Sequence, residues 1–247
     1  MNVARRRRKD QKSSNLAAFC DAAKKGSCEC AMALYASMEL TCRKRDNSGR
    51  TLLHELCERG ASKQVIQHLI RFEGADPTAP LANGNTPLHI AAESGHADVV
   101  AALLSHNVLT YQDQISKGYG GLGGSPLLLA CRRGHAEASL VLISACVAVN
   151  GVDNVGVQPT TAGSPLHWAA LHGMLNVVKR LLEREANVNE MSPDGPPLHW
   201  ACAREQWAVA AYLLNSGAEP FLDYLNRRGE RFVDAMDQEW AATLGLL

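Results

Sequence analysis

The chain has 247 residues, 46% of them hydrophobic and 20% charged, with 25 basic and 25 acidic side chains. That length suits one or two globular domains, and cancelling charges leave no global field to draw the chain onto nucleic acid. Aromatic residues make up only 5%, a thin supply for a base-stacking platform.

Residues 1–14 are polar and carry Arg5, Arg6, Arg7, Arg8, Lys9 and Lys12 against Asp10 alone. Such a composition predicts a disordered tail. Its readings are a nuclear-import signal, a contact for nucleic acid or an acidic surface, a mitochondrial targeting segment, or a solvated tail with no specific role. The cluster lacks an amphipathic apolar face, which weighs against the mitochondrial reading.

From Ser14 to Cys42 the pattern predicts two helices broken near Lys25 and Gly26, a worn first repeat or cap. Clear copies of one unit follow. A tetrapeptide recurs as TLLH at Thr51, TPLH at Thr86, SPLL at Ser125, SPLH at Ser164 and PPLH at Pro196, with a degraded RFVD at Arg231. The steps are 35, 39, 39, 32 and 35 residues. Six positions after each anchor stands a small residue: Cys57, Ala92, Cys131, Ala170 and Cys202. Nine positions after it stands Gly60, Gly95, Gly134 or Gly173, and Glu205 departs from the rule.

The segment from Ser164 to Asn189 shows the unit whole. Ser164 caps a helix and Pro165 occupies its first turn, where a missing N–H costs nothing. Gly173 ends it in the left-handed conformation. Val177, Val178, Leu181 and Leu182 repeat at helical spacing and predict a second amphipathic helix. Ala186 to Asn189 leads away as an extended arm. Two such short helices bury too little by themselves, so the unit requires neighbouring copies.

These anchors, turn glycines and spacings resemble the ankyrin-repeat family, over roughly residues 15–247. The resemblance implies an all-α fold, an ankyrin-repeat solenoid of paired antiparallel helices with protruding β-hairpin loops. A single domain, 15–247, is expected to contain a cap over 15–45, repeats starting near 46, 81, 120, 159 and 191, and a closing cap over 226–247. The two long steps come from enlarged hairpin regions, 111–124 and 150–163. Within the family the layout is similar to gankyrin-type proteasome-assembly chaperones.

Most chemistry-bearing residues belong to the repeat. His54, His89, His167 and His199 each stand three residues after an anchor, where the family uses histidine to tie helix to hairpin backbone. His96 and His135 follow turn glycines and read as repeat features too. Cys28 and Cys30 lie two apart with no paired knuckle, so no metal is expected. Gly118, Gly120 and Gly123 lie in a hairpin insertion rather than after a buried strand, so no nucleotide cofactor is expected. No pattern singles out an acid–base pair, and the chain is read as non-catalytic. The eight cysteines are scattered and three fill small slots, which points to a reducing, intracellular compartment, cytoplasmic or nuclear. The longest apolar run, Ala138 to Val149, falls short of the roughly 20 residues of a membrane span.

What the repeat does not need is more informative. In the family, positions four, seven and eight after the anchor face the concave groove. The first of these reads Glu55, Ile90, Leu129, Trp168 and Trp200. The others read Glu58, Glu93, Arg132, Leu171 and Ala203, then Arg59, Ser94, Arg133, His172 and Arg204. The expected partner-binding set is Trp168, Trp200, Leu129, Ile90, Arg132, Arg133, Leu171, His172 and Arg204. Tryptophan and arginine dominate interface hot spots, and an exposed apolar stripe marks a binding surface. The competing expectation is that the hairpins fold over the tryptophans and make them core. Trp207 reads as packing and Trp240 as closing the final cap. The implied function is that of an adaptor, scaffold or assembly chaperone, monomeric by itself, holding a protein partner with an apolar anchor and an acidic rim. The alternative is association with nucleic acid through the basic tail and groove arginines.

Overall fold

The structure is a computed structural model describing residues 16–25, 28–37, 41–42, 44–106, 124–145 and 163–220. The basic tail, nearly all of both enlarged hairpins with their glycine motif, the RFVD copy and Trp240 lie outside the described residues. The chain divides into two compact units, Met1–Tyr111 and Gln112–Leu247.

The first unit holds α1 (16–24), α2 (Cys28–Ser37), α3 (Leu52–Arg59), α4 (Lys63–Phe72), α5 (Pro87–Glu93) and α6 (Ala97–Leu104). The second holds α7 (Pro126–Arg132), α8 (Ala136–Ser144), α9 (Pro165–Leu171), α10 (Leu175–Glu183), α11 (Pro197–Cys202) and α12 (Trp207–Asn215). Among the described residues there is no sheet, only an isolated bridge between Ser192 and Gly195. The worn first repeat is the expected helix pair, broken after Lys25. It joins the next repeat through Ser62 N–H, which donates to Ala23 O at 2.9 Å.

The anchor tetrapeptide starts each first helix by a shared device. Nδ1 of His54, His89 and His167 accepts the backbone N–H of Thr51, Thr86 and Ser164 at 3.2, 3.3 and 3.1 Å. The hydroxyls of the same residues lie 2.9, 2.9 and 2.8 Å away. Histidine therefore takes the place of the glutamate in an ordinary capping box. Where the third repeat has Leu128 instead, Ser125 Oγ accepts the Leu128 N–H at 3.2 Å. Where the fifth has Pro196, no N–H exists to be capped.

With Nδ1 accepting, Nε2–H is the donor. It reaches Gly195 O from His167 at 3.2 Å and Pro220 O from His199 at 3.0 Å. The expected histidine role, tying helix to hairpin backbone, is seen for His167 and His199, whereas the buried Nε2 atoms of His54 and His89 have no hydrogen-bond partner. Burial keeps these rings neutral, pushing His89 and His167 down to about 4 and lowering His54 and His199.

Each second helix buries one face: Val65, Ile66 and Leu69 in α4, Val99, Val100 and Leu103 in α6, Val177, Val178 and Leu181 in α10. Each such side chain contributes about 1.5–3 kcal/mol on full burial. In the first unit α3 packs on α5 and α4 on α6; in the second, α7, α9 and α11 form one layer and α8, α10 and α12 the other. The small slot is what lets first helices approach, and Cys57, Ala92, Cys131, Ala170 and Cys202 are all buried there.

The turns after the first helices are left-handed at Gly60, Gly95, Gly134 and Gly173, with φ of 75, 78, 77 and 69°. Glu205 adopts the same conformation at φ 57° without being glycine. Histidines link successive turns. His96 Nε2 meets Glu58 O at 3.0 Å, and His172 Nε2 meets Arg132 O at 3.0 Å.

Candidate interaction surface

Positions four, seven and eight after the anchor share one face of each first helix, because residues three and four apart are neighbours on a helix. In the second unit this face is built on α7, α9 and α11. Among its residues Trp168, Leu171 and Arg132 are half-buried, while Arg133, His172, Ala203 and Arg204 are exposed. Nine positions from three repeats contribute no carboxylate to it.

Two expected members of the stripe are not open. Leu129 is 3% exposed and Trp200 is 7% exposed. Trp200 is fixed from several sides. Its indole N–H donates to Ser192 Oγ at 3.1 Å, and that hydroxyl donates to Gly195 O at 2.6 Å. Its ring meets His167 edge-on at 5.3 Å. Gly163 is tight beneath it, since a β-carbon there would come within 2.9 Å of Trp200 Cη2. Trp200 is thus a core residue with its polar atom satisfied, rather than an open member of the stripe.

Trp168 differs. Its ring stands at 84° to that of Trp200, centroids 5.0 Å apart, a favourable edge-to-face geometry. On another side lies His172, 6.4 Å away and inclined by 22°. His172 is itself anchored through Nε2 on Arg132 O, and its ring lies over Gly134, where a β-carbon would be 3.3 Å from its Cγ. His172, expected as a groove contact, is therefore also an inter-repeat tie. The Trp168 indole N–H is buried and has no hydrogen-bond partner.

In the first unit the corresponding face is a closed ion cluster. Arg50 Nε donates to Glu55 at 3.1 Å and its Nη2 pairs with Glu55 and Glu58; Arg59 Nε meets Glu55 at 2.7 Å. Burial alone pushes the Glu55 carboxyl up, but Arg59 and Arg50 together hold it below the ordinary value. Arg50 stands one residue before the anchor, a position the groove rule does not include. Ile90 is half-buried.

Among the described residues no group of three or more His, Cys, Asp or Glu side chains is arranged to hold a metal ion. Cys28 is half-buried and Cys30 exposed on α2. Trp207 is half-buried at the start of α12. No described helix is long and apolar enough to cross a membrane.

Capped helix pairs, left-handed turns and turn-to-turn ties define a tandem array of two-helix repeats, a class that generally serves protein–protein interaction. The profile described as Ankyrin repeats (3 copies) matches residues 19–113, 110–192 and 147–223. The chain belongs to the ankyrin-repeat family. It is 33% identical over 203 residues to alpha-latrotoxin-Lg1a of Latrodectus geometricus, covering 81% of this chain and 12% of that protein. It is also 33% identical over 152 residues to the B-cell lymphoma 3 protein homolog of Mus musculus, covering 61% of this chain and 32% of that one. The chain spans only a small part of the length of these relatives. Among solved structures, the human ASB11 ankyrin repeat domain aligns with a TM-score of 0.69 at 25% identity, covering 92% of this chain and 96% of that one. The Bcl-3 ankyrin repeat domain aligns at 0.62 with 22% identity, a likeness of fold.

Proposed function

We propose that this protein is a non-catalytic adaptor, scaffold or assembly chaperone that holds a protein partner on the concave face of its second unit. The observation behind this reading is the half-open Trp168, braced by a locked Trp200 and an anchored His172, on a helix face whose positions also supply Arg132, Arg133 and Arg204. Tryptophan and arginine on one helix face are the residue types that dominate interface hot spots. It suits a partner with an apolar anchor and an acidic rim. His54, His89 and His167 are occupied in helix capping, and His96, His172 and His199 in backbone ties, which is structural rather than chemical work. Cys57, Cys131 and Cys202 fill buried small-residue slots as reduced thiols do, which supports a reducing, intracellular setting.

The test places a photo-crosslinking residue at Leu171 and, separately, at Arg180 on α10. Partner adducts should form from Leu171, and they should disappear when Trp168→Ala or Arg204→Glu is added with the helical melt retained. Equal yields from both positions, or adducts indifferent to both substitutions, would sink the proposed face.

A further inference from the structure

We propose that Ser48 is a phosphorylation site for a basic-directed protein kinase, and that its phosphate releases the turn over 46–50 from Asp46. The site lies in the first unit and is independent of the partner face on the second. Its kinase and nucleoside triphosphate come with the intracellular setting proposed for the chain.

Two observations select this hydroxyl. The first is exposure. Among the described residues the other exposed serines are Ser37, Ser105, Ser144 and Ser216, and each hydroxyl donates to a carbonyl of the helix it ends: Leu34, Ala102, Leu140 and Tyr212. Ser48 stands instead in a solvent-facing turn, open to a second protein. The second is charge. Arg43, Lys44 and Arg45 precede Ser48 by five, four and three residues, and Arg50 follows it. A kinase cleft lined by carboxylates recognises such a run by charge complementarity. Arg45 already faces Asp76 at 3.8 Å, but the two side chains are 46% and 54% exposed, and a surface pair of that kind yields readily to a closer one. Ser62 also follows an arginine by three residues, yet its hydroxyl is buried.

In the unmodified chain Asp46 Oδ1 accepts the Ser48 hydroxyl at 2.7 Å, the Ser48 N–H at 2.9 Å and the Arg50 N–H at 2.8 Å. These bonds are exposed to water, so the turn opens at little cost to enter a cleft. Ser48 Oγ then attacks the γ-phosphorus of ATP held by the kinase. The Oγ–P bond forms as the bond to the β,γ-bridging oxygen breaks; ADP leaves with that electron pair, and the hydroxyl proton passes to the kinase's carboxylate base. The product has lost the hydroxyl donor and carries about two negative charges beside the Asp46 carboxylate. Repulsion drives that carboxylate off both amides. Ala82 N–H donates to Ser48 O at 2.9 Å, so the loosening reaches the corresponding turn of the next repeat.

The full chain is incubated with magnesium ATP and one of two enzymes. One is the catalytic subunit of cyclic-AMP-dependent kinase, which prefers basic residues before its serine; the other is casein kinase, which prefers acidic ones. Tandem mass spectrometry maps the phosphate, separating Ser48 from the serines of the basic tail, and amide hydrogen exchange is compared before and after transfer. The expected result is Ser48 modification at least about tenfold faster with the basic-directed enzyme, cut about five- to tenfold by Arg45→Ala at an unchanged melting temperature. The Arg50 and Ala82 amides of the phosphorylated chain should exchange about tenfold faster, with the Val100 amide on α6 unchanged. Ser48 left unmodified, or modified as fast without Arg45 or by the acid-directed enzyme, overturns the site. Modification that leaves exchange at Arg50 and Ala82 as it was overturns the release of the turn while leaving the site standing.

Discussion

The indole N–H of Trp200 donates to Ser192 Oγ at 3.1 Å, and this bond separates the roles of two tryptophans whose rings lie 5.0 Å apart. Ser192→Ala leaves the Trp200 N–H buried without an acceptor, while Gly195 O keeps the His167 Nε2–H and the backbone N–H of residue 192. Unfolding free energy should fall by about 1–3 kcal/mol, read from urea denaturation.

Trp168→Phe should behave oppositely to Trp200→Phe. At Trp168 the substitution removes an N–H that bonds to nothing, so the loss of contact area is offset by relief of an unsatisfied donor. The expected change is within about 1 kcal/mol, against about 2–4 kcal/mol for Trp200→Phe, which opens a cavity against Gly163 and loses the indole hydrogen bond to Ser192 Oγ. Equal costs at the two positions would show that both rings are core.

Turn conformation makes a second pair of opposite expectations. Glu205 holds φ 57° where four sister turns have glycine. Glu205→Gly removes a left-handed penalty of about 1–2 kcal/mol, partly offset by added freedom in the unfolded chain, so thermal unfolding should shift upward. Gly60→Ala should do the reverse. Gly60 has φ 75°, and an added β-carbon would sit 2.6 Å from His96 Cε1. That ring cannot swing aside without losing its bond to Glu58 O.

Much of this was legible in the residues because the repeat is a local device. Anchor, histidine, small slot and turn glycine each act within one helix pair or on the next, so a period of five copies exposes them. Groove spacing cannot tell an open Trp200 from a buried one, because its burial depends on Ser192, on the loop before its own helix, and on Gly163 from the preceding repeat. Periodicity carries no signal for either contact. Arg50 was passed over because it precedes the anchor, yet it draws Glu55 and Glu58 into a closed cluster. His172 satisfies the groove spacing, but it performs from position eight the turn-to-turn tie that His96 performs from position ten. A histidine beside the turn glycine was the available clue.

The buried histidines predict an acid-sensitive fold. Burial disfavours the charged ring and pushes His89 and His167 in the folded protein down to about 4 from the ordinary 6.5. Above pH 6.5 both folded and unfolded chains hold these rings neutral, and stability should not depend on them. Below it the unfolded chain takes up protons that the folded chain refuses, so stability falls until the folded rings also protonate near pH 4. Each of the two contributes a slope of up to about 1.4 kcal/mol per pH unit in that window, and His54 and His199 add to it in the same direction. The urea midpoint should therefore be level from pH 8 to 7 and decline from about 6.5 to 5, before carboxylates titrate. His167→Gln should flatten part of that decline, because a neutral amide refuses the proton in both states. A midpoint constant between pH 6.5 and 5 would show that the capping histidines accept protons as readily in the folded protein as in the unfolded chain.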